Sequence, residues 1–229
     1  MQYIEEVEKR IGYVFRDKSY LVQALTHSSY ANDFLGDSKL GNERLEFLGD
    51  AILDMVVGLE LFNRFEEKQE GFLSKLRSEI VCEQSLANAA LALELNRYLK
   101  LGKGEESKGG RDRHSIIADM VEAVIAAVFL DGGYDAAFGV VHRIMDETIE
   151  KGCSGQLPRD SKTELQEYCQ KRGKKLPVYR ILGEEGPAHD KTFTAGVFLG
   201  EEQIGTGKGK TKKEAEAAAA KAAIVHAEE

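Results

Sequence analysis

The sequence predicts two domains of different class: an all-α domain over residues 1–150 and a small α+β domain with order α-β-β-β-α over 160–229, joined by a linker at 151–159. Three observations carry this. Apolar residues recur at helical spacing through the first part, whereas short β-prone runs separated by glycine turns dominate the second. The charge also changes between them: residues 1–150 hold 17 Lys and Arg against 27 Asp and Glu, and residues 151–229 hold 14 against 12. A chain of 229 residues that is 42% hydrophobic and 31% charged fits a globular protein folding in water. No apolar run approaches the roughly 18 residues of a membrane span. Met1–Arg10 carries Glu5, Glu6 and Glu8 and lacks the basic-then-apolar layout of a secretory leader, so a cytoplasmic location without membrane contact is expected. Cys82, Cys153 and Cys169 are scattered and odd in number, which suits a reducing compartment and argues against zinc.

In the first domain Ile4, Val7 and Ile11 follow the i, i+3, i+7 rule, and similar periods run through 43–64, 72–95, 116–130 and 135–149. From Leu101 to Arg113 the glycines Gly102, Gly104, Gly109 and Gly110 interrupt the pattern; without Walker spacing this reads as a flexible loop. Lys151–Arg159, with two glycines and a proline, reads as the linker. In the second domain a helix is expected at Lys162–Lys171 and strands at Pro177–Leu182, Thr192–Leu199 and Glu202–Gly207. Gly183–Lys191 and Gly200–Glu201 supply the turns, and an alanine-rich helix spans Lys212–His226.

The most informative stretch is Asn42–Asp54. At about 100° per residue, Glu43, Glu46, Asp50 and Asp54 fall within an arc of about 80°, forming one acidic stripe. Leu45, Phe47, Leu48, Ile52, Leu53, Met55, Val56 and Val57 fill most other directions, so the helix is expected to be buried. Its Phe47 could pack on a partner, but the all-round apolar character favours its own core. A second helix repeats the situation, with Asp119 and Glu122 beside a broad apolar arc. Buried carboxylates must be protonated, paired with a base or bound to metal, and Arg44 cannot neutralise the stripe. An all-oxygen cage suits Mg²⁺ or Mn²⁺ and points to phosphodiester hydrolysis, although a structural ion fits the same spacing.

Asn42-Glu43-Arg44-Leu45-Glu46-Phe47-Leu48-Gly49-Asp50 resembles the signature of the ribonuclease III family. Ala24–Tyr30, Glu70-Gly71, the Gly102-Lys-Gly-Glu-Glu run and Ala118–Glu122 extend the likeness, which with the second domain covers essentially the whole chain. The resemblance implies an all-α nuclease domain followed by a double-stranded-RNA-binding domain. It implies Glu46, Asp50, Asp119 and Glu122 as metal ligands, with Asp50 and Glu122 catalytic, and Mg²⁺ as cofactor with Mn²⁺ substituting. Glu43 and Glu70 would support, at the subunit contact or in RNA engagement. Asp54 is not carried over and is expected as a polar neighbour or at the helix exit. The family further implies a homodimer through the nuclease domain and staggered cuts with short 3′ overhangs, 5′-phosphate and 3′-hydroxyl ends. Processing of ribosomal and messenger RNA precursors would be its task.

Gly205-Thr-Gly-Lys208-Gly-Lys210-Thr-Lys212-Lys213 leads into the last helix, where glycines would let backbone approach phosphates and lysines would add to the helix dipole. By resemblance, Thr163, Gln166 and Gln170 face one minor groove with Glu167 as an extra contact, His189 reaches the other, and Lys210, Lys212 and Lys213 grip phosphates. Acidity that collects metal in one half and a basic patch in the other account for the net charge of −8. Two other readings are a duplex-RNA-binding protein without activity and a metal phosphatase of small substrates.

Overall fold

The computed structural model describes residues 2–157, 161–187 and 191–228 and divides into two units, 1–157 and 158–229. In the first, α1 (Gln2–Ile11), α2 (Lys18–Ala24), α3 (Ser28–Tyr30), α4 (Glu43–Arg64), α5 (Glu70–Ile80), α6 (Glu83–Ala92), α7 (Lys103–Ser107), α8 (His114–Gly132) and α9 (Tyr134–Cys153) follow in order. The axis of the packing is α8, buried at Ile116–Ala118, Met120, Val121 and from Ala123 through Val128, with α2, α4, α6 and α9 around it. Its alanines admit close neighbours while its valines and isoleucines supply the apolar area that drives burial. Gly133, at φ 79°, ends it. On α9 the buried Ala137, Val140, Val141, Ile144 and Met145 keep helical spacing and form one face toward this core.

The structure departs from the sequence reading at several elements. The expected helix over 72–95 is two, α5 and α6, separated at Val81-Cys82, where Cys82 is extended (φ −67°, ψ 153°). The expected loop over 101–113 contains α7 and a 3₁₀ turn at Gly110–Asp112, with Gly109 at φ 74° between them. That segment is tied down: Gly102 N donates to Ser29 Oγ (2.9 Å) and Lys103 N to Asp33 Oδ2 (3.0 Å). Helix α9 runs to Cys153, one turn into the expected linker. Helix α2 was not anticipated; Asp17 caps it by accepting from Ser19 N (2.9 Å).

The second unit has α10 (Ser161–Lys171), β1 (Val178–Glu185), β2 (Thr192–Leu199), β3 (Glu202–Gly209) and α11 (Lys212–Glu228). The strands form an antiparallel sheet in the order β1-β2-β3, with β1 reaching through Gly183–Glu185, residues expected in the turn. One sheet face packs on the helices around Leu165, Cys169, Ala195, Val197, Ala215, Ala219 and Ala223. The glycines of β3 belong to this packing. A Cβ on Gly205 would lie 2.5 Å from Ala219 O, on Gly207 2.2 Å from Ala219 N, and on Gly209 2.5 Å from Ala215 N. They are bare to admit the backbone of α11, which corrects the expectation that they open backbone to phosphates.

Candidate functional site

Helix α4 carries the acidic stripe and α8 its counterpart, and the contact between the two is unusually close. A Cβ on Gly49 would sit 1.8 Å from the Glu122 carbonyl oxygen, so only glycine fits the crossing. The carboxylates on either side of that contact therefore converge. Glu46, Asp119 and Glu122 each offer an oxygen, all within 4.8 Å of one another. Asp50, one turn beyond Glu46, is exposed and lies outside this trio. Glu43, in the first turn of α4, is also exposed.

Convergence has an electrostatic cost. Burial, then Asp50, Asp119, Glu46 and Asp54, push the Glu122 carboxyl up to about 8. Asp119 is pushed up to about 6 by burial, then by Glu46 and Glu83. Glu46 is raised by burial and by Glu43 and Asp50. Among the described residues no Lys or Arg pairs with these three. Asp54 differs: Arg77 Nε stands 3.5 Å from its Oδ1. It is a polar neighbour in mid-helix and not at a helix exit, since α4 continues to Arg64. Hard oxygen donors that raise one another's proton affinity are a set a divalent cation relieves.

Glu70 opens α5, exposed, and accepts from Ser74 Oγ at 2.6 Å; in the single chain it stays outside the trio. Glu83, at the start of α6, is an acid neighbour of Asp119 that sequence reasoning missed, because the break before α6 carries no glycine or proline. Phe47 is 82% exposed, contrary to the expectation of core burial. Met55, Leu59 and Phe62 are exposed too, so α4 is buried on one side and apolar on an open one.

In the second unit Thr163, Gln166 and Gln170 are exposed along the side of α10 opposite Leu165 and Cys169. Lys210, Lys212 and Lys213 are exposed where α11 begins. A capping network shapes that end: Glu214 N donates to Thr211 Oγ1 (3.1 Å) and Lys210 N to Glu214 Oε2 (2.9 Å). Thr163, Gln166 and Lys213 line one cleft. His189 lies outside the described residues.

Residues 17–148 match the family model described as ribonuclease-III-like, which is more than half of the chain. The chain belongs to the ribonuclease III family. Residues 161–225 match the double-stranded RNA binding motif. The "Ribonuclease 3" of Caldanaerobacter subterraneus is 47% identical over 88% of this chain and 88% of its own. That of Clostridium perfringens is 48% identical over 96% and 92%. The nuclease domain of Campylobacter jejuni ribonuclease III is 41% identical with TM-score 0.59, covering 63% of this chain and 97% of that one. The expected fold class stands, a helical nuclease domain before an α-β-β-β-α RNA-binding domain. The protein is an endoribonuclease of double-stranded RNA, from a family that depends on divalent metal, and its acidic cluster could hold such an ion. Family membership sets aside the readings as an inactive binding module or a small-molecule phosphatase. No helix among the described residues is long and apolar enough to cross a membrane.

Proposed function

We propose that Glu46, Asp50, Asp119 and Glu122 hold the divalent ion, Mg²⁺ with Mn²⁺ as a substitute, and that Asp50 and Glu122 act directly in the cleavage of duplex RNA. The observation carrying this reading is the trio of carboxylates from α4 and α8 within 4.8 Å. When bound, the ion supplies Lewis acidity toward a phosphodiester and makes a water more acidic. The chain's part is to deliver oxygen donors and to manage their protons. Glu122, pushed up to about 8, gives up its proton as the site loads. Asp50, beside it and open to solvent, is the carboxylate best able to meet both ion and substrate.

In the second unit Thr163, Gln166 and Gln170 face a minor groove, Lys210, Lys212 and Lys213 hold phosphates, and His189 reaches the other groove. Homodimerisation through α4 is supported by the open apolar stripe at Phe47, Met55, Leu59 and Phe62. The Campylobacter nuclease domain is described as flexible in a region involved in dimer formation. Glu43 and Glu70 then support the subunit contact or RNA engagement. Two sites across the duplex leave 5′-phosphate and 3′-hydroxyl ends with short 3′ overhangs, and the natural work is processing of ribosomal and messenger RNA precursors in the cytoplasm. Cleavage of a long duplex with Mg²⁺, followed by end mapping, tests this reading. Glu122→Gln should abolish cutting, and equal cutting by both proteins would refute its assignment.

A further inference from the structure

The two duplex-facing elements of the second unit share a cleft of about 370 Å³, with Thr163 and Gln166 of α10 on one side and Lys213 and Ala217 of α11 on the other. Lys162 and Tyr179 also line it. Lys162 Nζ donates to Glu216 Oε2 at 2.7 Å, and the same ammonium lies 4.5 Å from the centroid of the Tyr179 ring. One charge therefore joins the first turn of α10, the body of α11 and the start of β1. The Lys162 side chain is 35% exposed and that of Glu216 25%, so the ammonium is turned back into the fold. Carboxylate and aromatic face both favour it there. By contrast, Lys213 is open to solvent.

We propose that Lys162, Glu216 and Tyr179 form a positioning clamp for duplex binding, fixing the separation between Thr163 and Gln166 on α10 and Lys213 on α11. The inference rests on the proposed reading of those three residues as RNA contacts. A module that reads A-form shape must meet groove and phosphates at one fixed spacing, so a loosened spacing costs affinity. An ion pair still about a third exposed contributes little to folding stability, so the clamp's effect falls on geometry rather than on the melting temperature.

The test is duplex affinity of the full chain, measured by fluorescence anisotropy with metal chelated, using a duplex of about 24 base pairs, longer than the roughly 16 one such module spans. Lys162→Met and Glu216→Ala should each weaken binding about tenfold, within the range typical of coupled neighbours. The double variant should be no weaker than either single, and Lys162→Arg should retain affinity. The salt dependence should keep its slope, and melting temperatures should stay within a few degrees. The clamp is overturned if Glu216→Ala does not weaken binding while Lys162→Met does and lowers the salt slope by about one, because Lys162 would then be a phosphate ligand itself. Additive losses, or losses accompanied by unfolding, overturn it too. If neither variant matters while Gln166→Ala and Lys213→Ala weaken binding, only the clamp falls. If those last two are also without effect, the underlying reading of the RNA face falls.

Discussion

Both units of the chain use glycine to bring two elements into backbone contact, yet they spend that closeness on opposite charge problems. In the nuclease unit Gly49 lets α4 meet α8 at Glu122, and what converges is like charge: Glu46, Asp119 and Glu122, with two of the three carboxyls pushed well above their ordinary range. In the RNA-binding unit Gly205, Gly207 and Gly209 let β3 meet α11, and what packs is alanine. The lysines at the start of α11 are left spread on the exposed side. A metal centre needs charge focused against its own repulsion, whereas a duplex ligand needs charge spread along a surface. The difference predicts that the first unit is destabilised by its own site until an ion arrives, and that the second is not.

The largest effect should come from breaking the close contact itself. Gly49→Ala leaves its methyl 1.8 Å from the Glu122 carbonyl oxygen, so α4 and α8 must separate. Cleavage should be lost and the nuclease unit destabilised by about 1–3 kcal/mol or more, as urea melts would show. Gly207→Ala should instead damage the second unit, with its position 2.2 Å from Ala219 N, and duplex binding should fail first. Next in size, Glu122→Gln should lower single-turnover cleavage by at least about 10²–10³-fold, on the scale of losing a main electrostatic group, with duplex affinity unchanged. Phe47→Asp should convert the proposed homodimer to monomer in analytical ultracentrifugation. Its 82% exposure predicts a change of only about 0.5 kcal/mol in the stability of the single chain.

Smaller and confined to the second unit, Lys212→Ala and Lys213→Ala should each weaken duplex binding and reduce the slope of log affinity against log salt by about one. The smallest effect separates the units by pH. Glu122 and Asp119 bind protons more tightly folded than unfolded, so in metal-free protein the folded state holds more protons from about pH 4 to about 8. Stability of the nuclease unit should therefore fall as pH rises through that window, and Glu122→Gln should raise its metal-free melting temperature by about 2–4 °C near pH 8. A melting temperature that instead climbs with pH across this range would remove the electrostatic half of the comparison.

The parts of this arrangement legible in sequence are those set by local period. The acidic stripe of α4 and the Asp119–Glu122 pair follow from spacing within one helix, and the α-β-β-β-α order from the succession of short local runs and the turns between them. What depends on a distant partner was not legible. Gly49 sits in the most recognisable stretch of the chain, yet its partner Glu122 lies on another helix. Phe47 lies in an apolar context whose exposed direction is set by how α4 packs on α8. The β3 glycines were misread because alternating Gly and Lys also suits a phosphate loop. Their signal was the match between a period-2 run of glycines and the period-4 alanines Ala215, Ala219 and Ala223. The break between α5 and α6 has no local mark, since Val81 and Cys82 both tolerate helix.

The claim on which the rest depends is that carboxylates from α4 and α8 together bind one divalent ion. Titration calorimetry of metal-free protein with Mn²⁺ at pH 7, repeated in buffers of different ionisation enthalpy, measures it without any turnover. Because Glu122 is pushed up to about 8, binding should release about one proton, and Glu122→Gln should abolish that release and weaken binding sharply. Equal affinity and equal proton release in both proteins would contradict the account.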